Sequence, residues 1–223
     1  MVVNQSLRTY SRPGPSSADL GKIYDPLMED RFRDKTRDEL AKHLNRIGIN
    51  AVLSPRGLPH ESVGNKWWRR SQGIIELSGG PIGWINIIKK DRSKDSPPKW
   101  WVFLGISDTR AIAQSRSVNI KTKRKKSFPI FGKVTSVTWE GQDRDLGLAH
   151  ELSMDNEVKE LATKLGNIRV QTLHDEFSGW VIEIDRKIAP TREQWGTLEK
   201  IAGVCLRTSS ALWKQPPPPA SIY

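Results

Sequence analysis

Two spacings of apolar residues alternate along this chain, and each predicts a different element. Leu40, Leu44 and Ile47 recur every three to four positions, which places them on one helical face. Thr36-Arg37-Asp38-Glu39 precedes them in capping-box form, where a Thr hydroxyl and a Glu carboxylate would satisfy opposing backbone amides. Gly48 follows as a stop. The helical spacing returns at Val158, Leu161 and Leu165, between Ser153 and Gly166. It returns once more at Trp195, Leu198, Ile201 and Cys205, behind a second capping box at Thr191-Arg192-Glu193-Gln194.

Elsewhere the spacing is that of strands. Ile49 to Leu53, Gly73 to Leu77, Gly83 to Lys89, Val134 to Trp139, Ile168 to Leu173 and Trp180 to Lys187 are short β-rich runs bounded by turn residues. Trp100 to Ile106 is apolar throughout, which predicts a central strand covered on both faces. Ser78-Gly79-Gly80-Pro81-Ile82 predicts a hairpin turn.

About seven strands and three helices with short connections predict an α+β fold, a mixed or antiparallel sheet with the helices on one face. The order helix–strand–strand occurs twice, ending on Gly83-Trp84 and on Gly179-Trp180, and suggests a weak internal repeat. Pro, Gly, Ser and charge alternate over residues 1–35, predicting a partly ordered arm. Residues 36–214 are the predicted globular domain, divisible into subdomains 36–140 and 141–214. Pro216 to Pro219 predict an extended tail over 215–223.

Composition narrows the class. The longest apolar run is far short of the roughly 20 residues a membrane-spanning helix needs, so no membrane is expected. No secretory signal is legible at the N-terminus. A single cysteine, Cys205, cannot form an internal disulfide, and a cytoplasmic location is the expectation. Its place in an apolar stripe predicts packing rather than nucleophilic chemistry. His43, His60, His150 and His174 have no His or Cys neighbour at metal-ligand spacing, so no metal site is predicted. Neither G-x-x-x-x-G-K-[ST] nor G-x-S-x-G occurs, which removes the enzyme classes built on those motifs.

Charge adds a partner. Residues 1–140 carry a net +13 and residues 141–223 carry −2. Lys66-Trp67-Trp68-Arg69-Arg70 sets indoles, which stack on bases, beside guanidiniums, which pair with phosphate. Lys121, Lys123, Arg124, Lys125 and Lys126 crowd five cations into six positions. With no apolar pattern evident, that run is expected to be a mobile, exposed loop whose charges would be relieved by phosphates. The mixed-sign run from Lys89 to Asp95 is expected to be a solvated loop between strands.

The leading expectation is therefore a non-catalytic binding module for an anionic polymer, DNA or RNA above all, acting through residues 66–126 and needing no cofactor. A second is a Mg²⁺-dependent nuclease. Asp185-Arg186-Lys187 fits the short [D/E]-x-K element of such cores, and on the strand Trp180 to Lys187 the side chains of Glu183, Asp185 and Lys187 share a face. Asp175 or Glu176 would supply the further carboxylate. A third is a protein-interaction or assembly component, suggested by nine Trp and Pro-rich ends.

Overall fold

Strand alternation sorts the apolar residues of this chain onto two unequal faces of one sheet. The computed structural model describes residues 34–66, 68–108, 110, 117–127, 133–144, 146–173 and 177–214, with side chains of the last helix described to Ser210. The predicted tail and nearly all of the predicted arm lie outside these residues. The chain divides after Asp34, and all described elements belong to residues 35–223.

In chain order they are α1 (Thr36–Arg46), β1 (Asn50–Leu53), a 3-10 turn (Pro59–Ser62), β2 (Arg70–Ser78), β3 (Trp84–Lys90) and β4 (Lys99–Ser107). There follow β5 (Asn119–Lys126), β6 (Val134–Gln142), α2 (Leu148–Met154), α3 (Asn156–Leu165), β7 (Ile168–Leu173), β8 (Gly179–Ile184) and α4 (Arg192–Lys214). The described strands form one eight-stranded sheet in the order β1-β2-β3-β4-β8-β7-β5-β6, with every neighbouring pair antiparallel. This is the α+β class, with one strand and one helix more than the sequence predicted. The late strands β7 and β8 lie between β4 and β5, so residues from both halves of the domain share the sheet.

The larger core lies between one sheet face and the helices. Ile85, Val102, Leu104, Ile120, Val170 and Ile182 point there, against Leu44, Leu161, Leu198 and Ile201. β4 is central and buried from Val102 to Ile106, as its uninterrupted apolar run implied. A smaller core on the opposite face joins Ile74, Trp84, Ile88, Phe103 and Val181 to Val63 and Phe177. Trp84 belongs to the smaller core and Trp180 to the larger one. The two Gly-Trp strands thus present opposite faces, and the repeat seen in the sequence does not extend to packing.

Three local expectations change. The cation run 121–126 is strand β5, paired with β6 and β7, not a loop. Val118, Ile120 and Thr122 alternate inward beneath the lysines, and that period of two is what orders the segment. Helix α2 was hidden because only Leu148 and Leu152 of its seven residues are buried. Thr36 lies inside the first turn of α1, whose N-cap is Lys35, and its hydroxyl accepts from Lys187 Nζ at 2.8 Å. The second capping box does form. Gln194 N donates to Thr191 Oγ1 at 3.2 Å, and Thr191 N donates to Gln194 Oε1 at 3.0 Å.

A short side-chain chain ties α4 to the sheet. Trp180 Nε1 donates to Ser209 Oγ at 2.6 Å, and Ser209 hydrogen-bonds the carboxylate of Asp108 at the end of β4. Arg110 donates to Asp108 from Nε at 2.8 Å and from its backbone N–H at 3.1 Å. Burial disfavours the charged carboxylate, yet the bonds from Arg110 and Ser209 outweigh it and hold the Asp108 pKa below its ordinary value. A depressed folded-state pKa gives stability that is complete above the unfolded value of about 3.9 and is lost as pH falls through the folded value. Asp108→Asn should therefore cost about 1–3 kcal/mol at neutral pH. Urea midpoints of the two proteins should then converge as the pH is lowered below about 4. Parallel curves over that range would show that Asp108 does not titrate with folding.

Among the described residues no helix is long and apolar enough to cross a membrane.

Candidate nucleic-acid interface

The segment that precedes β2 covers only part of the second sheet face. Asn86 holds it there from the middle of an otherwise apolar strand. Its Nδ2 donates to the carbonyls of His60, Glu61 and Val63 at 3.2, 3.2 and 3.0 Å, and its Oδ1 accepts from Ser71 Oγ at 2.7 Å. A fully buried amide with these bonds satisfied fixes the segment to β3. Gly64 then lies directly on the Phe103 ring with φ +73°, where a Cβ would both clash and strain the backbone. His60 stacks on Trp84 with centroids 5.0 Å apart. Burial lowers its pKa, while the Glu76 charge opposes that shift.

Beyond this cover, strands β8, β7, β5 and β6 leave their second face open. A cleft of about 820 Å³ runs there, with Gly64, Lys66 and Arg69 lining one side. The register dictates its floor. Glu140, Lys121, Arg169, Glu183 and Phe103 are directly paired from β6 to β4 and form one row across the strands. Lys123 lies beside them on β5 and Trp101 on β4, with Asp185 just past the end of β8. Lysines thus collect on β5 and two of the three carboxylates, Glu183 and Asp185, at β8, two strand spacings or about 10 Å apart, while Glu140 flanks the lysines on β6.

Five cations and three carboxylates line the cleft, so it is net positive. Lys123 Nζ lies 3.0 Å from Glu140 Oε2, an exposed pair that contributes little stability. Arg169 approaches Glu183 at 3.4 Å, which is long for a charge-assisted bond. Asp185 accepts from Asn167 N at 3.2 Å and from Asn167 Nδ2 at 2.6 Å. Arg69 lies over Trp101 with Cζ 3.8 Å from the ring centroid. Its Nε is buried and has no hydrogen-bond partner. Burial lowers the Arg69 pKa, Glu183 counters this and Arg169 adds to it.

The residues singled out from the sequence do not all meet here. Lys66, Arg69, Lys121 and Lys123 line the cleft, and Lys125 follows on the same side of β5. Trp68 is 42% exposed, with Lys66 Nζ 5.8 Å from its ring. Trp67 lies outside the described residues. Arg70 pairs with Asp91 at 3.5 Å on an exposed surface. Arg124 alternates to the other side and donates to Thr163 O at 3.1 Å, and Lys126 is exposed at the strand end.

The nuclease constellation comes apart. Glu183 and Asp185 both line the cleft, but β8 ends at Ile184 and a bend at Asp185 and Arg186 breaks the alternation. Lys187 therefore turns to Thr36 and sits 3.9 Å from the Trp100 ring centroid. Asp175 and Glu176 lie outside the described residues. Among the described residues no three His, Cys, Asp or Glu side chains converge to hold a metal.

Trp101, Arg169, Gln171, Asn167 and Glu140 were missed. Arg169 and Gln171 are the polar alternates of a strand whose Ile168, Val170 and Thr172 face inward, and that alternation was a usable signal. Of the tryptophans, Trp84, Trp139, Trp180 and Trp195 are buried, which gives those four a packing role. No family model, curated protein or solved structure matches the chain, which leaves the chemistry of the cleft to speak for its ligand.

Proposed function

We propose that this chain binds a single strand of nucleic acid, DNA or RNA, along the open sheet face. The observation that carries the proposal is the placement of lysines along β5 and of the aromatics, with Glu183 and Asp185, on the β4–β8 side of the floor, the remaining carboxylate, Glu140, being paired with Lys123. A single strand is polar in the same sense, with phosphates along one side and bases along the other. Lys121, Lys123 and Lys125 meet the phosphates while bases turn toward Trp101 and Arg69, where stacking is worth about 1–3 kcal/mol per base. A duplex shows only phosphates and groove edges at its surface. It would set phosphates against Glu183 and Asp185 and could not bring an unstacked base to Trp101. No step of this reading requires a metal or a bond to be broken.

Binding should show the salt dependence of counterion release. Each phosphate neutralised contributes about −0.7 to the slope of log affinity against log salt for a single strand. Contacts from Lys121, Lys123 and Lys125 would give a slope of roughly −2. Anisotropy titrations of a labelled mixed-sequence 12-mer at several salt concentrations measure it, with the matching duplex as comparison. Absence of binding at low ionic strength, or a duplex bound more tightly than either strand, rejects the proposal.

A further inference from the structure

The cleft holds two kinds of polar group that phosphate binding does not need. Glu183 and Asp185 repel phosphates, and yet they stand on the cleft floor with the Arg69–Trp101 pair that would stack a base. Glu183 keeps a side-chain exposure of only 15%, so its charge is held in a partly desolvated place rather than out in water. Arg169 Nη1 meets one of its oxygens at 3.4 Å, and an ionised carboxylate offers about four lone-pair sites. Acceptor capacity therefore remains, side by side with a guanidinium that can only donate.

We infer that Glu183 and Arg169 together read the Watson–Crick edge of a base stacked on the Arg69 guanidinium where it covers Trp101, and that they favour bases bearing an exocyclic amino group, guanine foremost. The inference rests on the cleft being the nucleic-acid site proposed above. Guanine offers two adjacent N–H donors, N1–H and N2–H₂, which suit both oxygens of one carboxylate, and an O6 acceptor beside them that suits Arg169. Cytosine and adenine each offer one amino group with a ring-nitrogen acceptor next to it, and so make one bond to the carboxylate and one to the arginine. Uracil and thymine offer a lone N3–H between two carbonyl oxygens. Any approach of the carboxylate then forces its second oxygen against a carbonyl. The edges of unpaired bases are open to such contacts, as they are not in a duplex.

The order expected is guanine, then cytosine and adenine, then uracil. A bidentate pair discriminates between bases by about fivefold to 150-fold. The probe is a set of labelled nine-residue oligouridines with the central base changed to guanine, cytosine or adenine, titrated against the full chain at low salt. One guanine should tighten binding by about tenfold over the all-uridine strand. Glu183→Gln replaces an acceptor pair by one acceptor and one donor. It should bring the guanine strand down to the level of the uridine strand, and the uridine strand should itself bind slightly tighter, since a negative charge in the cleft is gone. A thermal melt of the variant establishes that it is folded, and the wild-type series stands as a test without it. Equal affinity for all four strands overturns the base reading while the binding proposal survives. Failure of every strand to bind overturns the binding proposal itself. A guanine preference that persists unchanged in folded Glu183→Gln overturns the assignment to Glu183.

Discussion

Trp180→Ala should lower the unfolding free energy by about 3–5 kcal/mol, the range for truncating a buried tryptophan. Trp180 has no exposed surface, and its ring fills the space between β8 and α4 in the larger core. Truncation leaves a void that rigid neighbours on both sides cannot close. It also removes the N–H that donates to Ser209 Oγ at 2.6 Å, and so loosens the partner of Asp108. For a chain of this size each kcal/mol shifts Tm by about 2–4 °C, so a drop of roughly 10 °C is expected. Trp180→Phe keeps most of the ring and loses the hydrogen bond, and should cost less than half as much. Denaturant midpoints and melting curves of both variants check this. A Tm for Trp180→Ala within about 2 °C of the wild type would mean that α4 is not packed on β8 as described.

Much of this architecture was legible because its strands and helices announce themselves by period. Trp100 to Ile106 could only be a doubly covered strand, and it stands at the centre of the sheet. Val158, Leu161 and Leu165 gave α3, and Asp155 caps it by accepting from Glu157 N and Val158 N at 2.9 and 3.1 Å. What escaped was the order of strands. That β8 would insert beside β4, and β7 beside β5, depends on long-range pairing for which the chain carries no local mark. β5 escaped for a different reason. Charge density masked a strand whose inward side is only Val118, Ile120 and Thr122, and lysines are among the residues least expected in strands.

The site was legible in half. Positive charge near Trp67 to Arg70 and over 121–126 was evident, and Lys66, Arg69, Lys121 and Lys123 do converge on one cleft. A sequence cannot say that alternation sends Arg124 away from them, to Thr163 on α3. Nor can it say that β7 brings Arg169 between the lysines and Glu183, since those positions are far apart in the chain and adjacent only by register. The [D/E]-x-K reading took β8 to run to Lys187, whereas the strand ends at Ile184. One bend there carries Lys187 to Trp100.

The strand period also yields a test that separates a site from mere net charge. Lys121→Ala with Lys123→Ala removes two cations from the cleft. Lys42→Ala with Lys164→Ala removes two exposed cations from α1 and α3, on the helix-bearing face. Each pair takes the formal net charge from +11 to +9. If the protein attracted nucleic acid by its overall field, the two double variants would weaken binding alike. If phosphates lie along β5, only the first should respond. It should lose affinity by on the order of tenfold or more at low salt, and its salt slope should shrink by about 1.4, two phosphates at about 0.7 each. Neither pair should move stability much, because exposed substitutions stay within about 0.5 kcal/mol. Removing Lys123 does free Glu140 of its exposed partner, and at 3.0 Å between well-solvated groups that change is small. Titrations of one labelled 12-mer against the three proteins, at two salt concentrations, measure both affinity and slope. An equal loss for both pairs would reduce the cleft to one part of a basic surface. No loss for the β5 pair would move the phosphates off this strand, and Arg70 with the exposed Trp68 would then be the next positions to replace.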